Sequence, residues 1–158
     1  MDLKSRRVDL VNGGEVPFSV SDFGTVARAI SSVLRQPECV TGHCVQVHGM
    51  FITQKETLKI VKKYDPAPEA WVVCEKEGRV KFEIGLSMLK RGEFTMEAMS
   101  TLMAGVVWDP KYELCFQETD NKWLGVVMLP KEQLEENIKD RVLRGVSGVA
   151  TEKIVSKI

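Results

Sequence analysis

The stretch EVPFSVSDFGTVARAISSVLRQPECVTGHCVQVHGMFI, residues 15–52, decides how this chain is read. Ser21 and Asp22 offer side-chain oxygens to cap a helix whose apolar residues Val26, Ala29, Ile30, Val33 and Leu34 recur at the helical period. The helix ends before Pro37. After Gly42, residues 43–50 alternate, with Val45 and Val47 on one face and Cys44, Gln46 and His48 on the other, the pattern of a strand. Together these segments read as the closing part of an α/β sheet of the dinucleotide-binding type, yet the sequence carries no glycine-rich phosphate loop between a strand and a helix. The paired glycines Gly13 and Gly14 lie between two strand-like runs, residues 7–11 and 16–20, and so read as a hairpin turn.

Beyond residue 52, Thr53-Gln54-Lys55-Glu56 is a capping box that opens a helix running to about Tyr64, with a narrow apolar stripe of Leu58, Val61 and Tyr64. Pro66 and Pro68 then begin a loop, and residues 71–74 have the composition of a short buried strand. Residues 79–90 carry two periods at once. Val80, Phe82, Ile84 and Leu86 alternate, whereas Ile84, Met88 and Leu89 fit a helix, which is the expectation here. Residues 94–107 place Met99, Leu102, Met103 and Val106 on one helical face, and a turn at Asp109-Pro110 follows Trp108. Pro130 suits the first turn of a last helix in which Glu132, Glu135 and Glu136 precede Lys139, Arg141 and Arg144, with Gly145 as its stop. The expected architecture is a single mixed α/β (α+β) domain over residues 1–145, with a few short strands and about five helices, followed by a tail over 146–158.

Composition narrows the function classes. Among 158 residues, 22 basic and 22 acidic side chains cancel, so no broad positive field exists to gather nucleic acid or anionic lipid. The apolar run 70–74 is far shorter than the roughly 20 residues of a membrane span, and the opening MDLKSRRVDL is too polar for a secretory signal. The expectation is therefore a cytoplasmic protein with neither nucleic acid nor membrane as partner. The four cysteines, Cys39, Cys44, Cys74 and Cys115, lack a CxxC pair, as free thiols in a reducing compartment would. Cys39, His43, Cys44 and His48 spell C-x3-H-C-x3-H, which would supply four ligands to tetrahedral zinc. On a strand, however, adjacent side chains point to opposite faces, so His43 and Cys44 diverge and no metal is expected.

Two residues stand out for acid–base chemistry. Asp22, near an apolar pocket, would become a base if burial raised its pKa, although an aspartate at a helix start also serves as an N-cap. His48 falls near the C-terminal end of the expected strand, where α/β folds place their ligands, although a lone histidine on a mixed face is also commonly structural. Phe18, Met50, Met99, Met103, Trp108 and Tyr112 form an aromatic and sulfur-rich set that would line an apolar pocket or simply fill a core. Ser19 and Ser21 have no neighbouring histidine in sequence, which gives a nucleophilic serine little support.

The order of these elements resembles the C-terminal half of the NmrA-like and isoflavone-reductase-like group of atypical short-chain dehydrogenases, fungal members especially. GGEVPFSVSDFGTVARAISSVL, residues 13–34, is similar to that family's Gly-x-x-Pro-Phe-Ser turn and Asp-Ile-Gly helix. HCVQVHGMFITQKETLKIV, residues 43–61, resembles its last sheet strand, Thr-Gln cap and following helix. Asn121, Leu124 and Gly125 match an Asn-x-x-Leu-Gly ending, and the likeness extends over about residues 2–144. The family's GxGxxG loop and catalytic lysine lie in an N-terminal half with no counterpart here. The resemblance thus implies a substrate-side lobe without a cofactor, holding a small lipophilic substrate such as a natural-product intermediate and catalysing a non-redox cyclisation, isomerisation or dehydration. A lobe deprived of its nucleotide half exposes an apolar face, which implies a homodimer built in part through Val149, Ile154, Val155 and Ile158. The same resemblance leaves open a non-catalytic regulatory module, or a subunit that completes an NADPH-dependent reductase with another chain.

Overall fold

The computed structural model describes residues 1–112, 114–116 and 118–146. Within them, four short strands and six α-helices form a mixed α/β architecture. Strand β1 (Arg7–Val11) lies parallel to β4 (Val72–Lys76), with Arg7 opposite Val72 and Val11 opposite Lys76. Strand β2 (Phe18–Val20) lies antiparallel to β3 (Met50–Ile52), with Ser19 opposite Phe51. Helices α1 (Phe23–Arg35), α2 (Gln54–Tyr64), α3 (Gly78–Lys90), α4 (Met96–Val107), α5 (Asn121–Leu124) and α6 (Lys131–Val146) complete the order. None of the helices is long and apolar enough to cross a membrane.

The expected hairpin between residues 7–11 and 16–20 does not form. Asn12, Gly13 and Gly14 all have positive φ (49°, 76° and 73°), and three such residues in succession turn the chain out of the sheet instead of folding it back. Asn12 then anchors the turn elsewhere, accepting from Gly78 N–H at 2.9 Å and donating to the Trp108 carbonyl at 2.9 Å. Strand β1 is left to pair in parallel with β4, which requires the long crossover through α1 and α2.

The capping box of α2 is complete. Thr53 Oγ1 accepts from Glu56 N–H at 3.1 Å, and the Glu56 carboxylate accepts from Thr53 N–H at 2.9 Å. Residues 79–90 resolve to a helix because α3 and α4 pack backbone to backbone. A Cβ on Gly105 would sit 2.6 Å from the Gly78 carbonyl oxygen, and one on Gly85 would sit 2.5 Å from Leu102 N. Only a helix pair with glycine at both crossings can approach this closely.

The core has two centres. Val8 and Leu10 of β1, Leu58 and Val61 of α2, Trp71 and Val142 of α6 form the first, and Ala29 of α1, Leu124 of α5 and Val126 form the second. Asp65, at the end of α2, is buried beside the first centre. Its carboxylate accepts from Trp71 Nε1 at 2.8 Å, Ala67 N–H at 2.8 Å and Arg6 Nε at 3.1 Å.

Several local expectations need correction. Of residues 43–50 only Met50 belongs to a strand, because Asp120 rather than a neighbouring strand bonds the middle of the segment: Gln46 N–H donates to the Asp120 carboxylate at 2.8 Å, and Asp120 N–H donates to the Gln46 carbonyl at 2.7 Å. The alternation survives without the strand only as far as Val47: Val45 and Val47 pack on the second centre while Cys44 and Gln46 are exposed, but His48, expected on the face of Cys44 and Gln46, is buried. The strand near residue 72 is not buried, for Val72 and Val73 are exposed and only Trp71 before them is interior. Helix α4 starts at Met96 rather than Phe94, and α6 runs through Gly145 instead of stopping at it. The apolar stripe of α1 is split: Ala29 and Val33 pack inward, whereas Phe23 (96% exposed), Val26, Ile30 and Leu34 (75%) face outward. The expected contacts of Val149, Ile154, Val155 and Ile158 lie outside the described residues.

Candidate active site around Ser19 and His48

Opposed residues of an antiparallel pair share a face, so the β2–β3 register sets the Ser19 and Phe51 side chains together. Segment 114–116 runs along the other edge of β2, where Ser19 N–H donates to the Leu114 carbonyl at 3.0 Å. Phe116 N–H donates to Ser19 Oγ at 3.1 Å. Gly49 N–H donates to the Val20 carbonyl at 2.8 Å and to Ser21 Oγ at 3.1 Å, which brings the preceding residue over Ser19. That residue is His48, with Nδ1 3.1 Å from Ser19 Oγ and its ring edge-on to Phe51 at 4.1 Å.

His48 is held from behind by one side chain. Its N–H donates to Asn121 Oδ1 at 3.2 Å, and Asn121 Nδ2 donates to its carbonyl at 2.8 Å. Asn121 opens α5, whose Leu124 is fixed in the second core centre, so the imidazole sits on a packed support. His48 is 5% exposed, and burial lowers its pKa below the usual imidazole range. A neutral ring follows at pH 7, with a lone pair on one nitrogen. If that lone pair is on Nδ1, the Ser19 hydroxyl donates to it while accepting from Phe116 N–H.

Asp22 occupies a different role from a buried base. Its carboxylate accepts from Thr25 N–H at 2.7 Å and so caps α1. Hydrogen bonds from the Thr25 side chain and backbone hold its pKa below the ordinary carboxylate value, which makes it a poor proton acceptor at neutral pH.

The six aromatic and sulfur-bearing candidates are spread over more than one place. Phe18 and Trp108 pack edge to face at 5.8 Å, and the Trp108 indole N–H is buried without a hydrogen-bond partner among the described residues. Met50 lies in β3, while Met99 and Met103 on α4, and Tyr112, are exposed. Met50 does line an open groove of about 410 Å³, together with Phe51 and Ile52 of β3 and with Met128 and Leu129. Phe51 is shared: it walls the groove and packs against His48. The C-x3-H-C-x3-H residues diverge, with Cys39 and Cys44 exposed, His43 Nε2 on the Asp120 carboxylate at 3.2 Å, and His48 on Ser19. Among the described residues no three His, Cys, Asp or Glu side chains are grouped to hold a metal ion.

The Ser19–His48 pair is not legible along the chain, where no histidine lies near Ser19. The usable signal was the register of two short strands, and three-residue strands carry too little pattern to reveal it. Comparison with protein-family models, with curated proteins and with solved structures returned no match.

Proposed function

We propose that this chain is a small-molecule-binding protein of NmrA-like descent that catalyses a non-redox step on a lipophilic natural-product intermediate. The step is a cyclisation, isomerisation or dehydration, carried out in the cytoplasm by a homodimer. The observation that supports this reading most is the 3.1 Å contact between Ser19 Oγ and His48 Nδ1, in a histidine kept neutral by burial. An imidazole that is neutral at pH 7 is open to accept a proton from a substrate, and a hydroxyl bonded to it relays one. Such a placed base contributes roughly 10²- to 10⁴-fold in rate. The apolar walls of the groove suit a lipophilic substrate, and Phe51 joins groove and pair. Asp22 enters this reading as the cap of α1 rather than as a second base.

The test replaces the chromosomal gene by a His48→Gln allele and compares metabolites. The reading expects one compound to accumulate that purified wild-type protein converts and the folded variant does not. Indistinguishable profiles would overturn it. For the homodimer, the support is the outward stripe of Phe23, Val26, Ile30 and Leu34, an apolar surface that a lone subunit leaves in water. Light scattering at the mass of a monomer removes that part.

The same stripe favours a second reading, a regulatory module or a subunit that completes an NADPH-dependent reductase with another chain. NADPH binding that arises only when a partner chain is added would support it over catalysis by this chain alone.

A further inference from the structure

The groove beside β3 carries an unspent charge, and we propose that it binds a single-chain amphiphilic carboxylate, the alkyl chain on the β3 side and the carboxylate at Lys131. This inference rests on the reading of the chain as a small-molecule-binding protein, but not on the chemistry assigned to His48. At about 410 Å³ the groove falls within the range of roughly 300–1,000 Å³ typical of small-molecule sites. Its apolar floor comes from Met50 and Ile52, both buried, and its apolar rim from Phe51 and Met128, both partly exposed. Two flexible thioethers, of Met50 and Met128, line the groove and adapt to a chain of no fixed shape.

Two charged side chains line this surface, Glu56 and Lys131, and they differ in what they are already doing. The Glu56 carboxylate is turned back onto Thr53 N–H at 2.9 Å as half of the capping box. Lys131 has no ion-pair or hydrogen-bond partner among the described residues for its ammonium, and it is the first residue of α6, where the unpaired amides of the helix add positive potential. Glu132 in the same turn does not line the groove. An apolar groove lined by one unpaired lysine, its one carboxylate already taken up by Thr53 N–H, matches an alkyl chain that ends in one negative charge. An alkylammonium ligand would meet like charge there, and an alcohol would leave the charge unused.

The experiment uses the full chain carrying ¹³C-labelled methionine methyls. Met50 and Met128 report on the groove, and Met99 and Met103 on α4 serve as remote controls. Decanoate, decanol and decylammonium are titrated below their aggregation limits. The expected result is saturable movement of the Met50 and Met128 signals, with Met99 and Met103 unmoved. Decanoate should bind about three- to fivefold more tightly than decanol, a preference of the size of one exposed ion pair. Lys131→Met should bring decanoate to the level of decanol. Equal binding of acid and alcohol, or an unchanged decanoate affinity in Lys131→Met, overturns the carboxylate inference while leaving small-molecule binding in place. Movement of all methionines alike, or of none, overturns the groove as a site, whereas the metabolite comparison with His48→Gln decides the proposed function separately.

Discussion

Replacing Asp65 by asparagine tests whether one buried carboxylate ties the first core centre together. In the wild type it accepts from the Trp71 indole, from Ala67 N–H and from Arg6, whose guanidinium is a quarter exposed. Asparagine keeps one acceptor oxygen and turns an amide N–H₂ toward donors, so at least one buried donor loses its partner and the ion pair is gone. An unsatisfied buried donor costs about 1–3 kcal/mol, and the loss of a pair with a partly exposed arginine adds about 1 kcal/mol, for a total of about 2–4 kcal/mol. With a urea slope of about 2 kcal/mol/M, the unfolding midpoint should fall by about 1–2 M. Burial alone pushes this carboxyl up, but the hydrogen bonds from Ala67 N–H, Trp71 and Arg6 outweigh it and leave the folded-state pKa lowered. The stabilisation is therefore full above the unfolded aspartate value of about 3.9 and is lost as pH falls through the lower folded value. Urea unfolding of both proteins, followed by Trp fluorescence from pH 7 down to 3, should show the gap narrowing at the acid end. A midpoint within about 0.3 M of wild type at pH 7, or a gap independent of pH, would refute the assignment.

Other perturbations probe the site and the packing. Ser19→Ala strands Phe116 N–H and removes the partner of His48, so thermal melts should show a loss of about 1–3 kcal/mol, and any turnover should fall with it. Because burial lowers the His48 pKa, the unfolded chain takes up its proton first on acidification. Stability from neutral His48 is therefore full above about pH 6.5 and drains as pH falls toward the folded value, so His48→Gln should flatten that part of the stability profile. Asp22→Ala should cost about 1 kcal/mol through loss of the α1 cap and leave the pH dependence near neutrality unchanged, as measured by urea unfolding. Gly105→Ala would drive a methyl against the Gly78 carbonyl oxygen and Phe82. Circular dichroism melts should show destabilisation of at least about 1–3 kcal/mol.

Features that close within a few residues were legible in advance. The Asp22 cap, the Thr53–Glu56 box and the span of α2 depend on hydrogen bonds over three or four positions, and the structure has each of them. The inward turn of Val45 and Val47 was legible too, since alternation records which side of an extended segment meets apolar neighbours. Pairing was not. The residues that follow β1 read as a hairpin because glycine permits the turn, but the positive φ of Asn12 and its bonds to Gly78 and Trp108 decided the direction taken.

Sequence by itself determined the mixed α/β class, the capped starts of α1 and α2 and the balanced charge, because these are properties of neighbouring residues and of their sum. Only the tertiary structure decided that His48 meets Ser19, that most of the α1 stripe faces water, and that Lys131 lines the same apolar groove as Met50. A side chain's own chemistry is local, but its burial and its partners are set by whichever distant segment packs against it.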